Sequence, residues 1–409
     1  MGYLELDMEL SDEVKAMQNE ARKFGSDVMR PAGIELDKLQ NPADVYAEGS
    51  ALWDVFRKYR EMGLHQVGIS KALGGMAEDM DPKFRAIFAE EAGYADAGLA
   101  ISLGVYTNPF KVAALSKDPE LQQLARDFCE DTKCEMIGCW AITEPEHGSD
   151  YIMALDPAFN DPKCGPDLTA ELKGDEYILN GQKGAWVSNG TIATHATVHV
   201  KLDSSKGMQG TGLAVVPLDL PGISKGKPLD KIGQRALNQG EIFFEEVKLP
   251  KKYMVVPDTQ VMTVMFKMIL TGANTGMACA FTGLAQAAFD EALNYAKQRV
   301  QGGVPIFEHK NIKLKLFNMF RKVQAARALS RQVALYAVKN PGAVHYAVAA
   351  KVTSTRTAFE VTSDAITILG GNGLAKEYVI EKMFRDARAS MIEDGENDIL
   401  SIAASCDLT

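Results

Sequence analysis

No Cys-x-x-Cys pair occurs among the six cysteines, Cys129, Cys134, Cys139, Cys164, Cys279 and Cys406. The common zinc and redox-dithiol spacings are therefore missing, and buried free thiols are the expected state. Histidine is also scarce, at six residues. The one close pair, His195 and His199, falls in a strand-like run, so its spacing does not form a metal-binding helix face; no metal is expected. Positive charge is in deficit, with a net charge of −10. That argues against nucleic acid or an anionic membrane as the main partner. No run approaches the ~18–20 uninterrupted apolar residues of a membrane span. The acidic N-terminal stretch Met1–Asp7 lacks a signal-peptide layout, and Leu6 stands where a myristoylation motif needs Ser or Thr. A cytoplasmic protein without a membrane span is the expectation.

What is present is ordinary globular composition, 46% hydrophobic and 24% charged. A chain of 409 residues is long for one core, so two or three domains are expected. Residues 11–30 open with a helix signature, Ser11 as N-cap followed by Asp12 and Glu13. Leu52 to Leu64 spaces Trp53, Phe56, Tyr59 and Met62 along one helical face. Residues 82–100 predict a longer helix whose Gly93 and Gly98 imply close packing, and 119–132 predicts another. Residues 1–134 are assigned to an N-terminal α-helical domain.

From 135 to 255 the period changes. Leu168–Lys173 alternates like a strand, and Tyr177–Leu179 runs into Asn180-Gly181, a strong hairpin signal. Further strands are predicted at 198–202, 212–216 and 240–247. Short strands at this spacing predict a small β-barrel or sandwich. The Pro-, Asp- and Gly-rich stretch 156–167 predicts a surface loop. From 256 to 409 four helical stretches follow, about 260–300, 311–338, 342–369 and 376–404, the last interrupted near Gly395. Ile312, Leu316, Met319, Val323, Ala326 and Val333 share one face. A C-terminal four-helix bundle is expected, giving an α+β multidomain chain. The pivot is Ala141–Asp150, an irregular loop after an apolar run, with backbone N–H groups and small hydroxyls suited to a phosphate or a polar ring edge.

Five motifs, in order, resemble the acyl-CoA dehydrogenase family over nearly the whole chain. They are Thr143-Glu144-Pro145-x-x-Gly148-Ser149-Asp150; Asn180-Gly181-Gln182-Lys183 with Trp186-Val187-Ser188-Asn189-Gly190; Tyr295-Ala296-x-x-Arg299 with Glu308-His309; Ile368-Leu369-Gly370-Gly371-Asn372-Gly373; and Glu381-Lys382 with Arg385-Asp386-Ala387-Arg388, ending in Asp394-Gly395-x-Asn397. The resemblance implies FAD as cofactor, an acyl-CoA substrate, a homotetramer and an electron-transferring flavoprotein as electron acceptor. It places Ile142, Thr143, Gly148 and Ser149 along the flavin and its pyrophosphate, Trp186 on the isoalloxazine, and Ser188 at its reactive edge. Arg299, Gln301, His309, Lys310, Gly370 and Gly371 correspond to the clamp that a neighbouring subunit offers to FAD. Glu396 and Asn397 complete the cofactor set, and Ser149, Asn274 and Gly395 the substrate set. The family's base is a glutamate before a glycine, and here that position holds Asp394.

Four departures accompany the match. Aspartate is one methylene shorter than glutamate, which withdraws the carboxylate by roughly 1.5 Å. Gly302-Gly303 replaces the family's Phe-Gly, and Lys310 replaces a glutamine. The helix that carries an Asp-x-x-Arg pair in the family has Thr271 and Asn274. The expected activity is α,β-dehydrogenation of an acyl-CoA, of a branched or alicyclic acyl group. Two alternatives are a flavoenzyme of the same fold with desulfinase, N-hydroxylase or oxidase chemistry, and a non-catalytic flavin-binding protein.

Overall fold

The computed structural model describes residues 10–408. Helix α1 (Asp12–Phe24) starts where Ser11 accepts the Val14 N–H. It widens into a π-helical turn, Gly25–Met29, before α2 (Arg30–Asp37). Pro31 lacks an N–H, and a wider turn accommodates that loss without ending the helix. Helix α3 (Ala51–Glu61) follows. The helix expected over 82–100 is two, α4 (Pro82–Ala95) and α5 (Ala97–Tyr106). Asp96 breaks it with an extended backbone and caps α5 by accepting the Leu99 N–H at 2.9 Å. Helices α6 (Asn108–Ala114) and α7 (Pro119–Glu130) complete this helical part.

The middle of the chain forms strands β1 (Gly138–Ala141), β2 (Thr169–Lys173), β3 (Glu176–Lys183), β4 (His195–Lys201), β5 (Thr211–Pro217), β6 (Ile223–Lys225), β7 (Ile242–Pro250) and β8 (Met254–Val256). They join in the order β6-β7-β3-β2-β4-β5-β8, with β1 also on β4. One edge of β4 pairs with β5, and the other is shared between β1 and the end of β2. The stretch 156–167 contains only short 3-10 turns.

The hairpin signal at Asn180-Gly181 is not a turn. β3 runs straight through it, and the register against β7 slips between Leu179 and Gly181. Gly181 has φ +140°, and a Cβ there would sit 2.8 Å from the Leu168 Cα. The pair is thus a bulge where another backbone comes close. The actual β2–β3 turn is Gly174-Asp175, closed by the Lys173–Glu176 pair, with φ +64° at Gly174.

Helix α8 (Thr259–Gln298) spans 40 residues. The β-hairpin β9 (Val300–Gln301) and β10 (Val304–Pro305) leads to α9 (Lys310–Lys339), α10 (Val344–Leu369), α11 (Val379–Ser390) and α12 (Asn397–Ser405). Among the described residues α8 alone is long and apolar enough to cross a membrane by length and composition. Its apolar faces pack against α4, α9 and α10. The expected face of α9 is buried at Leu316, Met319, Val323, Ala326 and Val333, with Ile312 half-buried.

α4 and α8 cross with backbones in contact. A Cβ on Gly93 would lie 1.9 Å from the Ala280 carbonyl oxygen, and one on Gly283 would lie 1.9 Å from that of Glu90. Gly283→Ala should therefore cost about 1–3 kcal/mol by forcing the helices apart. Gly104→Ala on α5, where an added Cβ meets nothing within 4 Å, should be neutral or stabilising by up to about 1 kcal/mol. Urea midpoints of the two variants check this; a Gly283→Ala protein as stable as the parent contradicts it.

Candidate functional site

The pivot loop is set by a buried ion pair. Lys183 and Glu144 meet at 2.7 Å with both side chains fully buried. Lys183 also donates to the Ile142 carbonyl at 3.0 Å, and Glu144 accepts from the Tyr151 hydroxyl at 3.0 Å and the Leu168 N–H at 3.2 Å. Burial opposes the charge on Glu144; the Lys183 ammonium and these donors outweigh it and hold the carboxyl below its usual range. The Thr143 carbonyl accepts from Gly184 N–H at 2.7 Å, which ties the loop to the segment carrying Trp186 and Ser188. Ile142, Thr143 and Ser149 are half-buried and Gly148 is exposed.

Trp186 is not a core aromatic, being 59% exposed. Ser188 accepts from the Gln239 amide at 3.2 Å, and Gln239 in turn accepts from Lys231 at 2.7 Å. The next residue, Asn189, is in the left-handed region at φ +62°. Its buried side chain exchanges hydrogen bonds with Ser102 on α5, at 2.8 and 3.0 Å. Gln239 and Lys231 had no sequence signal of their own; they stand behind Ser188 through long-range pairing.

Asp394 lies in the turn between α11 and α12, at φ +49°, followed by Gly395 at φ +102°. Aspartate tolerates the left-handed region better than most residues. A Cβ on Gly395 would lie 2.1 Å from Ile152 Cδ1 and 2.8 Å from Leu400 Cγ, so this glycine lets the turn close on protein side chains. Ser149 meets the same turn, accepting the Glu396 N–H at 3.0 Å. Glu396 caps α12 by accepting from Asp398 and Ile399 N–H at 2.9 and 3.0 Å. The pivot loop and the base turn are thereby brought together. Asp394 is exposed in the turn. Desolvation pushes its carboxyl above the usual range, and the Lys351 charge recovers part of that. Burial pushes neighbouring Glu393 up to about 7, against a Gln234 hydrogen bond and the Lys231 charge.

The clamp residues form a separate cavity of about 510 Å³ at the far end of α8. Arg299, Gln301, His309, Gly370 and Gly371 line it, joined by Tyr295, Asn311 and Asn372. His309 Nε2 lies 2.9 Å from the Gln301 carbonyl, and Asn372 donates to the Tyr295 hydroxyl at 3.0 Å. Lys310 is exposed outside this lining, at the first residue of α9. None of the pivot-loop or base-turn residues lines the cavity, so one chain keeps the two groups apart.

Two expected contacts are committed elsewhere. Asn274 has no exposed surface; its amide donates to the Leu270 carbonyl of its own helix at 2.9 Å, and its Oδ1 is buried without a partner. Asn397 is buried and bonds Thr355 and Lys351. Asp96 and Lys382 meet at 2.6 Å in a buried cluster with Asp386.

Comparison with known proteins follows the same layout. Residues 11–123, 139–247 and 262–404 match the N-terminal, middle and C-terminal domains of acyl-CoA dehydrogenase. The cyclohex-1-ene-1-carbonyl-CoA dehydrogenase of Geobacter metallireducens is 30% identical, over 95% of this chain and 96% of its own. The mitochondrial short-chain specific acyl-CoA dehydrogenase of Rattus norvegicus is 28% identical, over 96% of this chain and 89% of its own. The butyryl-CoA dehydrogenase structure from Megasphaera elsdenii superposes with a TM-score of 0.85 at 26% identity, covering 98% of this chain and all of that one.

Glu393 gives a pH test. Its folded carboxyl, near 7 rather than the ordinary 4.5, holds a proton that the unfolded chain releases between those values. The stability it contributes is full below pH 4.5 and is lost as pH rises through 7. Urea unfolding should show Glu393→Gln losing less stability than the parent between pH 5 and pH ~7.5; identical slopes contradict the assignment.

Proposed function

The chain belongs to the acyl-CoA dehydrogenase family, and on that premise we propose that it oxidises a branched or alicyclic acyl-CoA at the α,β position, with Asp394 as base. It is an oxidoreductase acting on CH–CH groups. The observation that carries the assignment is the turn itself. Asp394 is an exposed carboxyl whose desolvation by neighbouring protein atoms raises its proton affinity, in a turn joined through Glu396 to the pivot loop. A base with raised proton affinity suits removal of the weakly acidic proton beside a thioester carbonyl.

The cofactor is FAD. The residues present suit it. Trp186 offers an exposed indole face, and Ser188 a hydroxyl oriented by Gln239. The clamp cavity offers the Arg299 cation beside Gly370 and Gly371, where an added Cβ would meet nothing within 4 Å. A guanidinium fork and a bare turn favour close approach by a diphosphate. When bound, FAD supplies the acceptor for the β-hydride. The chain's own work is to hold Asp394 ready for the α-proton, aim the Ser188 hydroxyl and shield the reacting carbons from water. Electrons then pass to an electron-transferring flavoprotein.

The separation of the clamp cavity from the pivot loop supports completion of each site by a second copy, within a homotetramer. Exposed Leu314 and Phe317 on α9 and Leu374 beside the Gly370 turn supply apolar surface for such contacts. The short Asp394 arm leaves space near the α-carbon, and the 30%-identical relative named for an alicyclic thioester agrees with that choice.

The test is anaerobic bleaching of the flavin by butanoyl-, 2-methylpropanoyl- and cyclohexanecarbonyl-CoA. The parent should be bleached faster by the branched or cyclic thioesters. Asp394→Asn should keep FAD and lose nearly all reduction, whereas Asp394→Glu should stay active and shift towards butanoyl-CoA. An inactive Glu393→Gln beside an active Asp394→Asn would move the base by one residue. Ser188→Ala should bind FAD normally and slow reduction by roughly 10–1000-fold; an unchanged rate would remove Ser188 from the flavin edge. Light scattering that finds a monomer with full FAD content would sink the shared site.

A further inference from the structure

Lys351 sits two turns into α10 with no exposed surface. Its ammonium does not point to solvent but into the base turn. It donates to the Gly395 carbonyl at 2.7 Å and to the Asn397 Oδ1 at 2.9 Å. Gly395 directly follows Asp394, and the first of these bonds grips the Gly395–Glu396 peptide, whose N–H is the one that Ser149 accepts. Asn397 extends the grip, its amide donating to Thr355 on α10 at 3.1 Å and its N–H to the Met391 carbonyl at 3.0 Å. One α10 face thus holds the end of the turn that leads into α12, and Asn397 ties that end to the other.

Both acceptors are neutral oxygens. A buried ammonium bonded only to neutral groups is costly and needs opposing charge nearby. That charge comes from the turn's own Asp394, Glu393 and Glu396. Burial nevertheless pushes Lys351 down to about 8. Elsewhere around the turn, Lys231 faces Glu393 from the loop after β6. On α8, Thr271 and Asn274 bring no charge, and both spend their side-chain donors on their own helix.

Taking the proposed role of Asp394 as its basis, we infer that Lys351 is the positioning residue of this active site: it fixes the Gly395–Glu396 peptide, one residue beyond the base, by hydrogen bonding and supplies the positive charge that keeps the base ionised. The charge arrives from α10, beneath the turn, and α8 contributes none. Loss of the hydrogen bonds would free the turn. Loss of the charge would make Asp394 easier to protonate, since the ammonium opposes the desolvation that raises it.

The two effects separate by substitution. Lys351→Met removes both, Lys351→Gln keeps a donor without charge, and Lys351→Arg keeps charge and donors. The FAD-loaded enzyme is used throughout, with flavin reduction by the same three acyl-CoA probes followed from pH 5.5 to 9. In Lys351→Met and Lys351→Gln the acid limb of the rate profile should move up by about one pH unit or more. The gap to the parent would then be about tenfold wider at low pH than at high pH. Lys351→Arg should restore the parent limb even if its maximal rate falls. Hydrogen–deuterium exchange over 391–397, which needs no turnover, should be at least about tenfold faster in Lys351→Met. If Lys351→Met fails to fold, Lys351→Gln carries the pH arm and Lys351→Arg the exchange arm, with parental protection expected. An unmoved acid limb, with Asp394→Asn inactive, overturns the charge role and leaves the base assignment standing. Unchanged exchange in Lys351→Met overturns the positioning role whether or not any probe is turned over. An active Asp394→Asn overturns both the base assignment and this inference.

Discussion

One buried ammonium holds the three parts of the chain in register. Lys382 on α11 meets Asp96 and Asp386, each at 2.6 Å. Asp96 belongs to the break between α4 and α5, and Asp386 accepts the backbone N–H of Gln234 from the β-rich part. Burial works against the Lys382 charge, and the two carboxylates more than restore it. Removing any one partner would strand a charge in the interior, which typically costs about 3–5 kcal/mol. Gln234, held at φ +50° by this cluster, reaches on to Glu393 at 2.7 Å. The base turn therefore inherits its position from a cluster that spans all three sequence regions.

The turn concentrates opposing charges where few would be tolerated singly. Glu393 and Asp394 are adjacent carboxyls, with Lys231 near the first and Lys351 near the second. Their environments differ. Glu393 is hydrogen-bonded and pushed to about 7, while Asp394 is exposed. Two neighbouring carboxyls with different surroundings can hold different protonation states at one pH.

Much of this fold was legible because its determinants are local. Ser11, the periodic faces of α3 and α9, and the short alternating strands are written within a few residues of where they act. The helix break at Asp96 was not, since helical composition continues through it and the residue's reason is Lys382, 286 positions away. Asn180-Gly181 misled because the same dipeptide serves a tight turn and a bulge; the approach of Leu168 decides between them. The site divides the same way. Contiguous motifs singled out the pivot loop, the Arg299–Gly371 cavity and the Asp394 turn as candidates. Lys351, Gln234 and Gln239 act across distances in sequence that no motif spans. Lys351 did leave a trace, a cation in an Ala- and Val-rich helix on the face shared by buried Ala347, Ser354 and Ala358.

The crossing of α4 and α8 bears on how the chain comes apart. Gly93 and Gly283 bring main chain against main chain between the first helical region and the bundle. At these two points no side chain lies between the helices, and separating them exposes peptide surface on both together. The regions distinguishable by sequence are thus not separate melting units. Heating should find one cooperative transition for the helices, with the loss of either partner propagating at once to the other.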